Sequence, residues 1–354
     1  MSSDQAVAGR ASAEGTSRFA QRFERLPGHF RRPDRLWLSS LGMGTRGGDP
    51  GGADDLGYRS SALHALELGC NVFDTAPFYR HQTSERALGA ALLRGFGQGL
   101  ARRDEVFVVS KCGYLSLDLD HPLAARGARP YLLETYIESG LLDPADLVDG
   151  AHAITPAFVR DQIRRSRHNL GLETLDLYCL EEPEVQLLEW GPTEFRVRLA
   201  RAFEALEQAV ADGEIGAYGI SSWSGLLLPH TELGHLSLVD LFDVALEVGG
   251  PDHHLRAVIL PYGPALPEAL AAEAQFGPEM RTGAALEALK DTGTAVLACA
   301  PLARGRALGR LPAPVARRLG EDLTDAQRCL QFARSSAGVD CALVGMRRPE
   351  HAAE

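Results

Sequence analysis

The lysines of this chain are the first residues that suggest chemistry. Only two of its 36 basic residues are lysines, Lys111 and Lys290, and the others are arginines. Lys111 directly follows the apolar run 106–110, which is typical of a buried strand. An arginine is always charged, whereas the pKa of a lysine shifts readily on burial, so a lysine retained in such a chain can be one that arginine cannot replace. Lys290 falls on a polar helix face, so both a chemical and an ordinary role stay open for Lys111.

A glycine pattern at residues 42–47 could bind a dinucleotide. The stretch Gly42-Met43-Gly44-Thr45-Arg46-Gly47 satisfies GxGxxG directly after a predicted strand. A Rossmann site also needs a helix that opens at this point, so that its N-terminus meets the pyrophosphate. Loop residues 49–52 follow instead, and the chain contains 37 glycines. The pattern therefore does not predict a Rossmann domain.

A group of histidines could suggest a metal site. His253 and His254 follow Asp252, and His230 and His235 lie upstream. Their spacing fits no helix face and places them in a predicted loop. We predict no metal site.

Composition narrows the class of protein. Acidic residues number 47 against 36 basic ones, which gives a net charge of −11 and disfavours nucleic acid or an anionic membrane as the partner. No apolar run approaches the ~18 residues of a membrane span, and residues 1–30 contain no apolar signal region. The six cysteines form no CxxC pair, which fits a reducing compartment. We therefore expect a cytoplasmic protein.

Short apolar runs alternate with amphipathic stretches from Leu36 onward. The predicted strands are residues 37–43, 71–73, 106–110, 175–180, 217–221, 257–260, 295–298 and 341–344. Runs that are apolar on both faces are typical of buried parallel strands, and helical patterns separate them. This order predicts an α/β fold, a single-domain (β/α)8 TIM barrel over residues 31–354, preceded by a flexible tail over residues 1–30.

Local signals place some of the helices and loops. Ser84 and Thr155 are predicted N-caps, and Thr324 with Gln327 forms a capping box. Three connections, 114–154, 182–194 and 223–256, are too long for minimal turns and are expected as long loops at the carboxyl mouth of the barrel. Connection 114–154 is either a lid over an apolar substrate or a loop with its own small core, and its position favours the lid.

The stretch 74–89 is the most specific motif. Its segments DTAPFY (74–79) and SERALG (84–89) resemble the DTAxxYG…SExxLG signature of the aldo-keto reductases. The resemblance continues in order through VSKCG (109–113), LDLYCLEEPE (175–184) and GEIGAYGISSW (213–223), and through two late segments near residues 301–305 and 344–350. It covers roughly residues 35–354.

This resemblance implies a barrel that binds NADP(H) across its mouth without a Rossmann motif. It makes Tyr79 the proton donor, Lys111 the adjacent cation and Asp74 the carboxylate that holds Lys111. The chemistry suits these residues, because a tyrosine of pKa near 10 is a poor acid at neutral pH unless a cation lies beside it. The alternative is a buried Asp74–Lys111 ion pair with a core tyrosine.

Glu181 replaces the strand-end histidine usual in the family. Leu177, Cys179 and Glu181 share one strand face, which we predict to point inward. A protonated Glu181 could donate to a substrate carbonyl, and the steroid 5β-reductases, a family branch with the same replacement, reduce enone double bonds. An ionised Glu181 paired with Lys111 would oppose the developing oxyanion and cripple carbonyl reduction.

The resemblance also implies a set of cofactor-binding residues. They are Gly44, Thr45, Ser221, Ser222, Pro301, Leu302, Gly305, Gly345, Arg347 and Arg348. Arg347 and Arg348 could grip a 2′-phosphate, which favours NADP over NAD.

The cofactor region departs from the family pattern at several positions. Ser222 stands in place of an asparagine, Arg80 in place of a glycine and His351 in place of an arginine, and the seventh strand offers 298–300 (Ala-Cys-Ala) instead of an aromatic residue. The chain stops at Glu354, so we expect a short C-terminus without the usual last helix and substrate loop.

The sequence thus predicts an NADP(H)-dependent oxidoreductase that reduces a small-molecule carbonyl or an enone, with no prediction of oligomeric state. Two alternatives stay open. One is a redox-silent NADP-binding or interaction protein on the same fold. The other is a dehydratase or isomerase that uses Glu181 and Tyr79 as an acid–base pair.

Overall fold

Eight parallel strands close into a barrel in the computed structural model, which describes residues 6–277, 281–290 and 292–354. We number the barrel strands β1 to β8 in chain order: Leu41–Gly44, Val72–Asp74, Phe107–Cys112, Leu175–Glu181, Ile215–Ser221, Leu255–Pro261, Ala295–Cys299 and Cys341–Gly345. Each strand pairs with its neighbours in sequence, and β8 returns to β1. The prediction of a (β/α)8 barrel is confirmed.

The strands alternate between the barrel interior and the surrounding helices. Val109, Leu177 and Cys179 belong to the apolar cluster inside the barrel, whereas Tyr178 and Leu180 pack in the outer layer. This alternation places Glu181, the last residue of β4, on the inward face, as the sequence predicts.

Helices surround the barrel. The longer ones are Ala13–Gln21, Gly52–Glu67, Thr83–Gly97, Pro156–Leu170, Glu184–Ala211, Leu238–Gly249, Ala313–Leu319 and Asp325–Ser335, and the shorter ones are Ala128–Leu132, Glu268–Ala271, Ala285–Ala288 and Pro349–Ala353. The caps predicted at Thr155 and at Thr324 with Gln327 are confirmed. The cap predicted at Ser84 is wrong, because Ser84 lies inside its helix and donates to the Thr45 carbonyl oxygen at 2.7 Å.

The expected flexible tail is wrong for residues 6–30, the part of 1–30 that the structure describes. Ser12 caps the helix Ala13–Gln21, and Phe19 is fully buried. Arg18 forms ion pairs of 2.8 Å with Asp104 and Glu105, just before β3. This segment therefore packs against the amino end of the barrel.

All three of the expected long loops contain regular structure, and connection 223–256 includes the whole helix Leu238–Gly249. Helix Glu184–Ala211 begins within the connection 182–194 and bends at Gly191, before Pro192. Connection 114–154 buries Tyr131 and Tyr136, whose rings meet edge to face, so it carries its own small core. None of its residues lines the cavity described below, contrary to the lid that its position favoured.

Within the described part of the chain, no helix combines the length and apolar character needed to cross a membrane.

Candidate active site

A cavity of about 550 Å³ opens at the carboxyl ends of the barrel strands. Strand register brings its floor together: Gly345 lies beside Gly44, Gly44 beside Asp74, and Glu181 beside Ser221. In a barrel of this type, residues at these strand ends are the ones that can meet one ligand.

Tyr79, Lys111 and Asp74 form one connected group in this cavity. Lys111 Nζ lies 3.0 Å from the Tyr79 hydroxyl oxygen, 2.5 Å from Asp74 Oδ1 and 3.1 Å from the Thr75 carbonyl oxygen. All three side chains are almost completely shielded from solvent. The structure brings together the three residues that the resemblance singles out.

Charge fixes the protonation of this group. Burial raises the pKa of Tyr79 above its ordinary value, and the nearby Lys111 ammonium only partly opposes this effect. The Asp74 carboxylate raises the pKa of Lys111, so the amine stays charged despite burial. Tyr79 is thus a protonated phenol beside a permanent cation, which suits a group that gives up a proton to a developing oxyanion.

The loop after Tyr79 is held in an unusual backbone conformation. Arg80, His81 and Gln82 all have positive φ angles, of 50°, 55° and 69°. Such angles are costly for residues other than glycine. The buried Arg80 guanidinium holds the loop by donating to the Asp49 carbonyl oxygen at 2.6 Å and to Asp55 Oδ1 at 2.5 Å. Arg80 thus serves as an anchor where the family pattern has glycine.

Glu181 faces Tyr79 and Lys111 as a weakly solvated carboxyl group. Burial raises its pKa to about 7, and Lys111 and Ser221 oppose this shift. Among the described residues, its Oε2 atom has no hydrogen-bond partner, and the one cation within 4.0 Å of its carboxylate is Arg46, with Nη1 at that distance from Oε1. Glu181 is not paired with Lys111, whose hydrogen bonds go elsewhere. This arrangement makes the protonated form available up to about neutral pH.

His152 forms a hydrogen bond with the backbone of Glu181, and the sequence gives no signal for this role. Its Nε2 atom lies 2.9 Å from the Glu181 carbonyl oxygen. Gly113, at a φ of 150°, makes the close approach possible, since a Cβ there would lie 2.6 Å from the Glu181 carbonyl oxygen and 2.9 Å from His152 Nε2.

Most of the predicted cofactor-binding residues line the cavity. These are Gly44, Ser221, Ser222, Pro301, Leu302, Gly305 and Gly345. Thr45 is buried outside it, and its hydroxyl donates to the Asp74 carbonyl oxygen at 3.1 Å. Arg347 and Arg348 are exposed and do not line it, and Arg347 lies 3.3 Å from Asp54 Oδ2.

Glu184, which the sequence analysis missed, holds the turn after β5. Its Oε1 atom accepts hydrogen bonds from the Ser222 hydroxyl at 2.8 Å and from the backbone N–H groups of Trp223, Ser224 and Gly225 at 2.9, 3.0 and 3.1 Å. The Ser222 hydroxyl therefore already uses its only hydrogen as a donor, so it cannot replace the amide of the family's asparagine.

Arg304 and Trp223 form a second unpredicted feature of the cavity wall. The Arg304 guanidinium carbon lies 4.2 Å from the centre of the Trp223 ring, and both residues line the cavity. The neighbouring Gly305 and Gly345 face open space, since a Cβ at either position would meet no atom within 4 Å. This wall combines a cation, an aromatic face and room for close approach to two glycines.

Comparison with known proteins agrees with this geometry. The model of the aldo/keto reductase family matches residues 40–226. The chain belongs to that family.

Two curated relatives match about half of the chain. The chain is 35% identical over 158 residues to a D-threo-aldose 1-dehydrogenase of a Pseudomonas species, an alignment that covers 45% of this chain and 41% of that protein. It is 25% identical over 192 residues to an NADH-specific methylglyoxal reductase of Escherichia coli K12, covering 53% of this chain and 49% of that one. The matches thus span about half the length of these relatives or less.

Solved structures of aldo-keto reductases share the whole barrel. The holo form of AKR11C1 from Bacillus halodurans superposes with a TM-score of 0.59 at 20% identity, covering 92% of this chain and 88% of that one. An aldo-keto reductase from Klebsiella pneumoniae in complex with NADPH gives a TM-score of 0.58 at 20% identity, covering 91% and 86%. At this identity the likeness concerns the fold.

Proposed function

We propose that this member of the aldo/keto reductase family is an NADP(H)-dependent oxidoreductase that reduces a small-molecule carbonyl or an enone double bond. The observation that carries the proposal is the meeting of the Tyr79 hydroxyl and Lys111 Nζ at 3.0 Å, in the same cavity as the buried Glu181 carboxyl group. A proton donor, a fixed cation and a second acidic group then line one space, and they provide the proton and the charge stabilisation that reduction of a C=O bond needs besides its hydride.

The residues of the cavity fit a dinucleotide. Gly305 and Gly345 leave room for close backbone approach, and Arg304 adds positive charge beside the segment that contains Pro301 and Leu302. Trp223 provides an aromatic surface, and Ser221 and Gly44 complete the floor. Arg347 and Arg348, outside the cavity, would serve a 2′-phosphate, and Thr45 would act by holding Asp74. When bound, the cofactor supplies the hydride.

Side chains of this protein would transfer the proton that the substrate oxygen gains. Tyr79 binds the substrate oxygen and gives its hydroxyl proton to that oxygen as the carbonyl carbon gains the hydride, so the products are an alcohol and the oxidised cofactor. Lys111 stabilises the resulting tyrosinate, and Asp74 keeps Lys111 charged and in place. The tyrosine then recovers a proton from solvent.

Glu181 would act in its protonated form. Its carboxyl O–H can donate a second hydrogen bond to the substrate oxygen, and burial with an unpartnered Oε2 atom supports that state. A neutral acid is a stronger donor than an imidazole and withdraws more charge from a conjugated system. This difference extends the proposal from carbonyls to enones.

Equilibrium titration of the protein with NADPH and NADH, followed by tryptophan fluorescence, tests the proposal first. Trp223 lines the cavity and should report saturable binding, with NADPH preferred. Oxidation of NADPH is then measured with aldehydes and enones for the wild type and for Glu181→His. Absence of binding at millimolar cofactor would refute the redox mechanism. Binding without turnover in either form would favour a redox-silent protein, and turnover of carbonyl substrates without cofactor would favour a dehydratase or isomerase.

The remaining assignments rest on the sequence. We propose that residues 31–354 act as the catalytic domain in the cytoplasm, in keeping with the net charge of −11.

A further inference from the structure

Arg46 places a guanidinium group next to the carbonyl-binding residues. It lies two residues beyond the end of β1 and lines the cavity, with 53% of its side chain exposed. Its Nη1 atom is 4.0 Å from Glu181 Oε1, and its guanidinium carbon is 5.7 Å from the centre of the Tyr79 ring. A ligand that reaches Tyr79 and Glu181 therefore also comes within reach of Arg46.

The hydrogen-bond donors of Arg46 are free for such a ligand. Among the described residues, its side chain makes no hydrogen bond, and Glu181 at 4.0 Å is beyond hydrogen-bonding distance. Two other guanidinium groups lie near the site. Arg80 donates to Asp49 and Asp55, whereas Arg304, which also makes no side-chain hydrogen bond in the described part of the chain, lies over the Trp223 ring. Arg46 differs from both because it combines unused donors with a position beside Tyr79 and Glu181.

The charges around Arg46 also leave it available to a negatively charged ligand. When Glu181 is protonated, as its proposed role requires, Arg46 loses its nearest negative charge. Glu182 and Asp74 also act on Arg46, but among the described residues neither lies within 4.0 Å of it: Glu182 accepts a hydrogen bond from the Tyr114 hydroxyl, and Asp74 pairs with Lys111. The reactive state of the site therefore contains a cation without a close counter-ion, beside the position of the substrate.

We propose that Arg46 binds a carboxylate of the substrate, so that the preferred substrates are oxo acids. This inference rests on the proposed function and names its substrate class. A planar carboxylate accepts two parallel hydrogen bonds from a guanidinium group, and the distances above suit a carboxylate about two or three bonds from the reacting carbonyl. The cation that fixes the substrate is separate from Lys111, which serves Tyr79.

Paired substrates of matched length test the inference. We compare kcat/KM for 4-oxobutanoate with butanal, and for 3-oxobutanoate with butanone, in the wild type and in Arg46→Gln. The control is Arg59→Gln, which removes the same charge from an exposed residue of helix Gly52–Glu67 outside the cavity. We expect the wild type to prefer at least one oxo acid about 10- to 100-fold, the range for a charge-assisted hydrogen-bonded pair. Arg46→Gln should abolish the preference through KM, with the neutral substrates little changed.

Three outcomes would overturn the proposal that Arg46 binds a substrate carboxylate. The wild type reduces neutral and carboxylated substrates equally well, or Arg46→Gln lowers both to the same degree, or it weakens only NADPH binding. Failure of the proposed function is distinguishable, because it shows as no NADPH oxidation with any carbonyl. In that case calorimetric titration with 4-oxobutanoate, with and without NADP+, still decides: loss of binding in Arg46→Gln but not in Arg59→Gln supports the carboxylate site, and no binding to the wild type refutes it.

Discussion

His152 donates a hydrogen bond from Nε2 to the Glu181 carbonyl oxygen across 2.9 Å. Gln186 fixes this direction, because its amide nitrogen lies 3.0 Å from His152 Nδ1 and 3.1 Å from the His152 carbonyl oxygen and can only donate to both. Burial lowers the pKa of His152, so the ring is neutral and carries its hydrogen on Nε2. His152 thus positions the backbone of Glu181, the residue that replaces the histidine usual in the family.

We expect His152→Leu to lower the free energy of unfolding by about 1–3 kcal/mol, because it leaves a buried carbonyl oxygen unpaired. It should also reduce kcat, since Glu181 loses its support. Urea unfolding and steady-state kinetics measure the two effects. His152→Gln, which retains a donor, should recover part of the activity. Wild-type behaviour of His152→Leu in both assays would contradict the positioning role.

Tyr79→Phe tests the proton donor. The change removes the hydroxyl that lies 3.0 Å from Lys111 Nζ. We expect kcat to fall about 10²- to 10⁴-fold, the usual contribution of a general acid, while the dissociation constant for NADPH changes little. Tyr262→Phe is the matched control, because that hydroxyl contacts Ser336 and lies outside the cavity. Retention of kcat in Tyr79→Phe would assign the proton to another group.

The Asp74–Lys111 pair should show strong coupling in stability. Either Asp74→Asn or Lys111→Met leaves a buried charge without its partner, which costs about 3–5 kcal/mol. The double variant removes both charges and should be less destabilised than the sum of the single variants. Urea unfolding of the four proteins gives the coupling energy. Additive losses would mean that the two charges do not depend on each other.

Glu181 should give the activity a pH dependence near neutrality. Its pKa of about 7 means that the donor form predominates below this pH, so kcat/KM should fall as the pH rises through 7. Glu181→Gln keeps a neutral donor and should remove this limb of the profile. A neutral-range limb that persists in Glu181→Gln would belong to a different group.

The same pKa shift affects stability. The folded state holds this proton more tightly than the unfolded chain, whose carboxyl group has its ordinary pKa of 4.5. The free energy of unfolding should therefore decrease as the pH rises from about 4.5 to above 7, and less so in Glu181→Gln. An equal slope in both proteins would contradict the raised pKa.

The barrel and the central group of the site could be predicted because their signals are local. Buried strands appear as short apolar runs, and the residues around Asp74, Tyr79 and Lys111 form an ordered set of motifs. The alternation of Leu177, Cys179 and Glu181 was sufficient to place Glu181 on the inward face. These features depend on strand periodicity and on residue types that recur at strand ends.

The remaining features depend on contacts between distant parts of the chain. No local pattern near Phe19 indicates that this segment packs against the barrel, because the partners of Arg18, Asp104 and Glu105, lie far along the sequence. Ser84 has the residue type of a cap, but its partner is the carbonyl oxygen of Thr45. Arg46 lies within a glycine pattern that does not predict a Rossmann domain, and only the folded structure shows it beside Glu181. Periodicity cannot identify such partners.

Glu184 Oε1 accepts four hydrogen bonds, and this arrangement has a consequence for the rate of ligand binding. Four hydrogen bonds hold the turn Ser222–Gly225 without a ligand, so a ligand that binds against it should lose less free energy to ordering of this turn. Association at this wall should then be limited by diffusion into the cavity and not by a slower rearrangement. The turn Ser222–Gly225 thus has its conformation set before a ligand binds.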